Sequence, residues 1–289
     1  MASGSSQRGI ADERVAELID LHCHLLPGID DGAKSLDTSL EMARMAVRDG
    51  ITIAACTPHI LPTVYDNQGP QITAAVQQLQ GELARADIPL RLVSGADVHV
   101  APDLADGLKT GRVLTLNGSR YFLLEPPHHV APPQLEDHAF RLHALGYISI
   151  LTHPERLSWI DVHYSLVQRM AHNGVWIQLT AGSLMGRFGR RPRYWAERIL
   201  DEGLCHILAT DAHNTSSRAP RLAEGRDVAA RRLGEQEATD LVLTRPRGVL
   251  DDVDPAKLCL PVKKNRPLSQ PASLWRRMLT SVRGGRGLA

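Results

Sequence analysis

The stretch Leu18-Ile-Asp-Leu-His22-Cys-His24 is a short run of apolar and β-branched residues that ends in two histidines. Its length and composition are typical of a buried β-strand. Residues i and i+2 of an extended chain point to the same face, so His22 and His24 can reach one ion together. The pair alone is weak evidence for a metal site, because a histidine beside a strand is more often an ordinary surface or core residue. The stretch therefore predicts a strand with polar side chains at its carboxyl end.

The same pattern, a short buried strand followed by a helical segment, recurs along most of the chain. Strands are predicted at residues 18–22, 51–56, 90–94, 121–125, 147–152, 175–179 and 206–210. Helices are predicted at residues 36–48, 72–85, 133–145, 164–172 and 192–202. Thr38 and Glu41 have the spacing of a capping box, and Gly50 follows that helix as a stop. Buried strands alternating with helices indicate an α/β fold, and about seven such units favour a closed or nearly closed barrel over an open sheet.

The composition narrows the class of protein. With 43% hydrophobic residues among 289, the chain can build a large core, which excludes wholesale disorder. The 33 Lys and Arg nearly balance the 32 Asp and Glu, so no net field favours nucleic acid or an anionic membrane. The 13 histidines are unusual, because histidine is the commonest neutral metal ligand. The composition therefore favours a globular protein with metal or acid–base chemistry.

The cysteines and the two ends of the chain bear on its location. Four cysteines lie far apart without a disulfide or zinc pattern, which fits a reducing compartment. There is no secretory signal and no apolar run near the ~20 residues of a membrane span, so a cytoplasmic protein is expected. Residues 1–16 are predicted to be disordered. Residues 261–289 are predicted to be a solvated basic tail with Pro and Gly, with a partner or lipid contact at residues 274–279 as the alternative.

Ionisable residues follow six of the seven predicted strands. In chain order they are His22, His24, Asp30 and Asp31; His59; Asp97; Glu125; His153, Glu155 and Arg156; and Asp211 and His213. In a βα barrel the carboxyl ends of the strands meet at one face, where active sites lie. Imidazole mixed with carboxylate suits Mn, Fe or Zn in an open catalytic site better than a closed structural zinc. The sequence therefore predicts a metal centre at the mouth of the barrel.

A cysteine nucleophile is not expected. His22-Cys23 has the His-Cys start of the cysteine-dependent tyrosine phosphatases, whose motif needs an Arg after five intervening residues, and here that residue is Ile29. The other three cysteines also lack this Arg, and the chain has no phosphate-binding Gly-rich loop. Any phosphate chemistry is therefore expected to depend on metal ions.

The order of these motifs resembles the PHP (polymerase and histidinol phosphatase) family. The motifs are His-x-His, Asp-Asp-Gly, Thr-x-His, Gly-Ala-acid, Leu-x-Glu, His-x-Glu-Arg and Asp-x-His-Asn, spread over roughly residues 18–250. The opening, residues 19–35, is most similar to one branch, the bacterial manganese-dependent protein-tyrosine phosphatases of capsule and exopolysaccharide operons. The resemblance implies a single-domain, PHP-type, distorted (βα)7 TIM-like barrel over residues 17–260.

The resemblance also implies the function and the cofactor. It implies a phosphatase that hydrolyses phosphotyrosine on a protein, namely the tail of a bacterial tyrosine autokinase, by hydroxide activated at up to three metal ions. Mn²⁺ is the expected metal, with Fe, Zn or Co as alternatives. Alternatives for the function are a phosphatase for histidinol phosphate or another small molecule, a PHP phosphodiesterase or nuclease, and a non-catalytic subunit of a polysaccharide-assembly complex.

Site residues are carried over by position. The resemblance implies one metal on His22, His24 and Asp211, a second on Asp31, His59 and His213, and a third on Glu125 and His153. Asp97 lies where the family usually has a Glu that bridges metal ions. An Asp side chain is one methylene shorter than Glu, so the resemblance does not decide how Asp97 would bridge them.

The remaining polar residues near these motifs have smaller expected roles. Arg156 resembles the family's phosphate-binding Arg, with a surface salt bridge as the alternative, and His213 or a metal-bound water is expected to protonate the leaving group. Asp30 is expected to cap a turn. The other histidines are expected to be solvent-exposed loop residues: His99, His128, His129, His138, His143, His163, His172 and His206.

Overall fold

The computed structural model describes residues 17–264, which form alternating strands and helices. The strands are β1 (Leu18–Cys23), β2 (Ile51–Cys56), β3 (His59–Ile60), β4 (Arg91–Ser94), β5 (Asp97–His99), β6 (Tyr121–Glu125), β7 (Ile148–Thr152), β8 (Trp176–Thr180) and β9 (Ile207–Ala209). The helices are α1 (Leu36–Arg48), α2 (Gly69–Arg85), α3 (Leu104–Thr110), α4 (Leu135–Ala144), α5 (Ile160–His172), α6 (Ala181–Leu184), α7 (Arg190–Asp201), α8 (Ala223–Leu233), α9 (Glu235–Thr239) and α10 (Arg245–Leu250). The predicted disordered residues 1–16 and most of the predicted basic tail, including residues 274–279, lie outside the described residues.

All seven predicted strands and all five predicted helices are present, with small shifts at their ends. The predicted capping box is wrong. Helix α1 begins at Leu36, and its cap is Ser35, whose extended backbone lets the side chain accept from the Thr38 N–H at 3.3 Å. Glu41 instead pairs with Arg48 at 2.7 Å. Gly50 follows the helix with a φ of 91°, as predicted, a conformation that favours glycine.

The strands are parallel and form two sheets. The first has the order β1-β2-β4 and the second the order β3-β5-β6-β7-β8-β9. The chain between β2 and β3 contains Pro58, which has no N–H for a sheet ladder, so β3 is a short continuation of β2 in the other sheet. The other edges also meet, because the His24 N–H donates to the Ala212 carbonyl at 2.9 Å and the Asp211 N–H to the His22 carbonyl at 2.8 Å. The strands therefore form a distorted βα barrel.

Alternate strand residues fill the inside of this barrel. One apolar cluster contains residues from seven strands: Ile19, Leu21, Ile53, Ala55, Val93, Tyr121, Leu123, Ile148, Ile150, Trp176 and Ile207. Val249 and Leu250 of α10 close the end at which the strands begin. A larger cluster lies between the strands and the helices. At the opposite end of the barrel, where the strands finish, the inward-facing side chains are polar.

An irregularity in β1 points its histidines into the barrel. The register between β1 and β2 shifts between Asp20 and Cys23. Leu21 belongs to the inner cluster and Cys23 to the outer one, so the two histidines beside Cys23 face the barrel axis. Within residues 17–264, no helix combines the length and the apolar character that crossing a membrane requires.

Candidate metal centre

The nine predicted metal ligands lie together at the carboxyl ends of the strands. Seven of them are buried: His22, His24, Asp97, Glu125, His153, Asp211 and His213. The His59 side chain is 12% exposed, and Asp31 is at the open rim with 43% of its side chain exposed. They come from six places along the chain: three from the end of β1 and its loop, two from the loop after β9, and one each from β3, β5, the end of β6 and the residue after β7. The parallel strands therefore bring distant parts of the chain to one point.

The first group is formed by His22, His24 and Asp211. The two Nε2 atoms are 3.2 Å apart, and Asp211 Oδ1 lies 3.4 Å from one and 3.5 Å from the other. Donor atoms bound to one ion at ~2.1 Å are separated by roughly 3.0–3.5 Å. The three atoms therefore have the spacing of donors to a single ion.

Two buried partners orient these histidines. His22 Nδ1 donates to Gln178 Oε1 at 3.0 Å, and His24 Nδ1 donates to Asp30 Oδ2 at 2.7 Å. A neutral imidazole carries one proton, so each ring then directs an Nε2 lone pair at the cluster. Asp30 also accepts from the Gly32 N–H at 2.8 Å, so its predicted turn-capping role is confirmed, and orienting His24 is a second role that the sequence did not reveal.

The second group contains His24, Asp31, His59 and His213. Asp31 Oδ1 lies 3.4 Å from His59 Nε2 and 3.2 Å from His213 Nε2. His213 Nδ1 donates to the Asp211 backbone carbonyl at 3.0 Å, which leaves the Nε2 of that ring with a lone pair and no hydrogen-bond partner. The group therefore offers two or three nitrogen donors and one carboxylate at the open side of the cluster.

Glu125 and Asp97 connect the remaining residues. Glu125 Oε1 lies 3.5 Å from His153 Nε2, as the predicted third group requires, and 3.1 Å from His128 Nε2. Asp97 Oδ2 lies 3.3 Å from His22 Nε2 and 3.5 Å from His59 Nδ1. Despite its shorter side chain, Asp97 therefore lies between residues of the first and second groups.

Unsatisfied buried atoms indicate that cations belong in this cluster. Six buried atoms here make no hydrogen bond: His59 Nδ1, both carboxylate oxygens of Asp97, Glu125 Oε2, His153 Nδ1 and His213 Nε2. A buried polar atom without a partner costs roughly 1–3 kcal/mol, so a structure seldom leaves several together. Metal ions would satisfy these donor sets, so the residues present fit a multinuclear site.

The carboxylates stabilise positive charge at the histidines. Burial lowers the pKa of His22, but Asp97 and Asp211 raise it, to about 9. Burial also lowers the pKa of His59, while contacts with Asp31 and other carboxylates raise it, to about 11. The surroundings of both imidazoles therefore stabilise a positive charge, which either a proton on the ring or a bound metal ion can supply.

Two of the predicted ligands have left-handed backbone conformations. His153 has a φ of 33° and Asp211 a φ of 51°, and each directly follows or nearly follows the end of its strand. Such conformations cost of order 1–3 kcal/mol in non-glycine residues and are concentrated at functional sites. At both positions the chain turns sharply, so the side chain is presented to the barrel mouth.

Two arginines lie at the edge of the first group. Arg156 Nη1 contacts Asp211 Oδ2, and the Arg156 side chain is only 15% exposed. Arg218 Nη2 contacts the same oxygen at 2.6 Å, and its buried Nε has no hydrogen-bond partner. Arg156 is therefore not a surface ion pair. Arg218 was missed from the sequence, although it lies only five residues after His213.

Two histidines expected to be ordinary loop residues belong to this cluster. His99 Nε2 lies 2.5 Å from Glu125 Oε2, and His128 approaches the other oxygen of the same carboxylate. The expectation was also wrong for His206, which is half-buried and stacks on Trp176. It is confirmed for His129, which is exposed in a loop. His143, His163 and His172 are exposed as predicted but lie in helices α4 and α5 rather than in loops. His138 is half-buried.

Three of the four cysteines are not placed for nucleophilic catalysis. Cys23, Cys56 and Cys205 are buried. Burial raises the pKa of the Cys23 thiol well above its ordinary value, so this residue stays a neutral thiol at neutral pH. Its sulfur lies 3.9 Å from the Ala212 carbonyl and in the outer core, away from the faces of its flanking histidines.

We expect Cys23→Ser to retain most of the activity and the full metal content of the parent. A buried hydroxyl costs about 1–3 kcal/mol of stability, which the nearby Ala212 carbonyl partly offsets as an acceptor. Turnover of an aryl phosphate, metal analysis and thermal unfolding of the variant would check this. An inactive variant with normal metal content would instead require a thiolate mechanism.

Comparison with known proteins identifies the family. Residues 18–251 match the family model described as capsular polysaccharide synthesis, CpsB/CapC. The chain is 36% identical over 219 residues to the tyrosine-protein phosphatase YwqE of Bacillus subtilis, which covers 76% of this chain and 86% of that protein. It is 25% identical over 240 residues to the tyrosine-protein phosphatase CpsB of Streptococcus pneumoniae, covering 81% and 99%.

A solved structure agrees with these matches. One chain from the crystal structures of YwqE and CpsB, described as unique metal-dependent tyrosine phosphatases, superposes with a TM-score of 0.81 at 32% identity. The superposition covers 86% of this chain and all of that one. The resemblance to the capsule-operon phosphatases is therefore confirmed, and the chain belongs to the CpsB/CapC family of capsular polysaccharide synthesis proteins.

Proposed function

We propose that this protein is a cytoplasmic, metal-dependent protein-tyrosine phosphatase that acts on the phosphorylated tail of a bacterial tyrosine autokinase in capsule or exopolysaccharide synthesis. One observation supports this most strongly. His22 and His24 have their Nδ1 atoms held by Gln178 and Asp30, so both Nε2 lone pairs meet Asp211 at the spacing of metal donors. The relatives described above are tyrosine-protein phosphatases, which agrees with this proposal.

The proposed cofactor is Mn²⁺, at up to three positions. We assign the ligands as His22, His24 and Asp211; Asp31, His59 and His213; and Glu125 and His153, with Asp97 between the groups. When bound, the ions supply positive charge for the phosphoryl oxygens and lower the pKa of water to give a nucleophile at neutral pH. His213 suits metal binding better than proton donation, because burial lowers its pKa to about 4.

Arg156 and Arg218 are proposed to bind the phosphoryl group. Both reach Asp211 Oδ2, so their guanidinium groups already point at the first group of donors. A guanidinium presents two N–H groups in one plane, which matches two phosphoryl oxygens. The leaving tyrosinate has a solution pKa near ~10, so it needs little help from a proton donor. Positioning and charge therefore provide most of the catalysis in this proposal.

We expect Arg156→Lys to lower turnover roughly ten- to a hundredfold, because lysine keeps the charge and loses the paired N–H groups, at ~1.5–3 kcal/mol for one charge-assisted hydrogen bond. Metal content should remain unchanged. Steady-state kinetics with metal analysis would check this. Wild-type rates would remove Arg156 from the reaction, and lost metal would make its role structural.

A substrate panel tests the proposed function as a whole. Purified protein of known metal content would be given a phosphotyrosine peptide, a phosphoserine peptide, histidinol phosphate and a dinucleotide. We expect clear preference for the phosphotyrosine peptide. Preference for histidinol phosphate would favour a small-molecule phosphatase, and preference for the dinucleotide a phosphodiesterase. No turnover by metal-loaded protein would favour a non-catalytic subunit.

A further inference from the structure

His99 occupies a position that the ligand assignment above leaves unused. It ends β5, two residues after Asp97, so the two side chains leave the strand on the same face. His99 Nε2 lies 2.5 Å from Glu125 Oε2, and the His99 side chain is only 16% exposed. A third residue, His59, approaches the same oxygen, with Nδ1 at 3.3 Å.

These close contacts lack the angles of well-formed hydrogen bonds. Glu125 Oε2 and His59 Nδ1 are both buried atoms without a hydrogen-bond partner, although each has a polar neighbour within 3.5 Å. Polar atoms that converge without a proton directed between them have the arrangement of donors to a shared cation. His59, His99 and Glu125 indeed place one potential ligand atom each within 4.8 Å of one another.

We infer that His99 is a metal ligand, binding through Nε2 the ion that Glu125 Oε2 holds. The inference rests on the proposed function, because it extends the same metal centre. An imidazole together with a carboxylate suits a divalent transition metal such as Mn, Fe or Zn. His59 has one lone pair when neutral and also faces Asp31 through its other nitrogen, so His99 supplies a nitrogen when His59 serves the second group.

The short side chain of Asp97 gives a reason for this additional ligand. Asp97 reaches His22 and His59 but is one methylene shorter than a glutamate, so its carboxylate ends closer to the strand. A histidine two residues later, on the same face, reaches farther toward the mouth. His99 therefore compensates at the outer side of the cluster for the reach that Asp97 lacks.

The alternative is that His99 only positions Glu125, and two substitutions separate these roles. His99→Gln keeps a side-chain N–H that can donate to Glu125 but lacks the imidazole lone pair, whereas His99→Ala removes both. Mn²⁺ binding would be measured at buffered free metal, and the visible absorption of the Co²⁺-loaded proteins would report nitrogen ligation. His129→Ala is the matched control, because His129 is an exposed histidine at the same mouth.

We expect both His99 variants to bind their most weakly held Mn²⁺ ion about a hundredfold less tightly than the parent. We also expect the visible absorption of both Co²⁺-loaded variants to differ from that of the parent. Adding Asp97→Glu to His99→Ala should restore much of the lost binding. Wild-type affinity and absorption in His99→Gln would overturn the inference and leave the proposed phosphatase intact. If His99→Ala does not fold, His99→Gln alone decides. A parent protein that binds no Mn²⁺ would instead refute the proposed function.

Discussion

Replacement of His24 by alanine should reduce phosphatase activity by at least about a thousandfold. His24 is the one histidine shared by the first and second groups of donors. Its Nε2 lies close to both His22 Nε2 and Asp211 Oδ1. Loss of this nitrogen would remove a donor from the first group, and metal charge contributes several kcal/mol to the transition state, where ~4 kcal/mol is a thousandfold in rate.

The accompanying measurements separate this effect from misfolding. Metal analysis of His24→Ala should show lost ions, while circular dichroism should show an intact fold. His163→Ala is the matched control, because this histidine is exposed on α5 and should leave activity and metal content unchanged. Asp30→Asn should have a smaller effect than His24→Ala, since it weakens the bond that orients the ring but keeps the Nε2 donor itself. An active His24→Ala protein without the corresponding metal would contradict the proposed centre.

The strands were predictable because their burial is continuous. The β2 and β6 bounds agree with the prediction residue for residue, since each is a mostly apolar run that is followed by a proline within two residues. The short strands β3 and β5 were not predicted, because two or three residues are too few to show a pattern. β3 follows β2, and β5 follows β4, after a short interruption of the strand that is visible only in the folded structure.

The metal cluster was predictable for a topological reason. Parallel strands have their carboxyl ends at one face, so a histidine or carboxylate at several strand ends implies one site. The sequence also contained a signal for His99, because Asp97-x-His99 has the same i, i+2 spacing as His22-x-His24. That signal was overlooked because the resemblance assigns no ligand to this position.

The supporting residues were harder to find. Gln178 lies 156 residues from its partner His22, and nothing in the local sequence distinguishes it from any other polar residue in a strand. It continues the inward alternation that begins at Trp176, so it reaches His22 only because the packed strands bring β8 and β1 to the same interior. Arg218 likewise reaches Asp211 through the path of a loop. Contacts between remote elements are the part of a site that sequence patterns do not encode locally.

Removal of metal should abolish activity, and Mn²⁺ should restore it better than Mg²⁺. Chelator followed by dialysis would give metal-free protein, and we expect at least about a thousandfold loss of aryl phosphate hydrolysis. Mn²⁺ should be the better activator because imidazole ligands favour it, whereas Mg²⁺ prefers oxygen ligands and retains its waters. Full activity in protein shown to be metal-free would refute the mechanism.

The same treatment should leave the barrel folded but less stable. Without ions, the raised pKa values of His22, about 9, and His59, about 11, mean that protons replace part of the missing positive charge at neutral pH. That substitution is incomplete, because both carboxylate oxygens of Asp97 and Oε2 of Glu125 remain without hydrogen-bond partners. Ions that bind the folded state should therefore raise the Tm with increasing free Mn²⁺. A Tm that is independent of Mn²⁺ would show that these buried carboxylates do not bind it, even if activity depended on metal through the substrate.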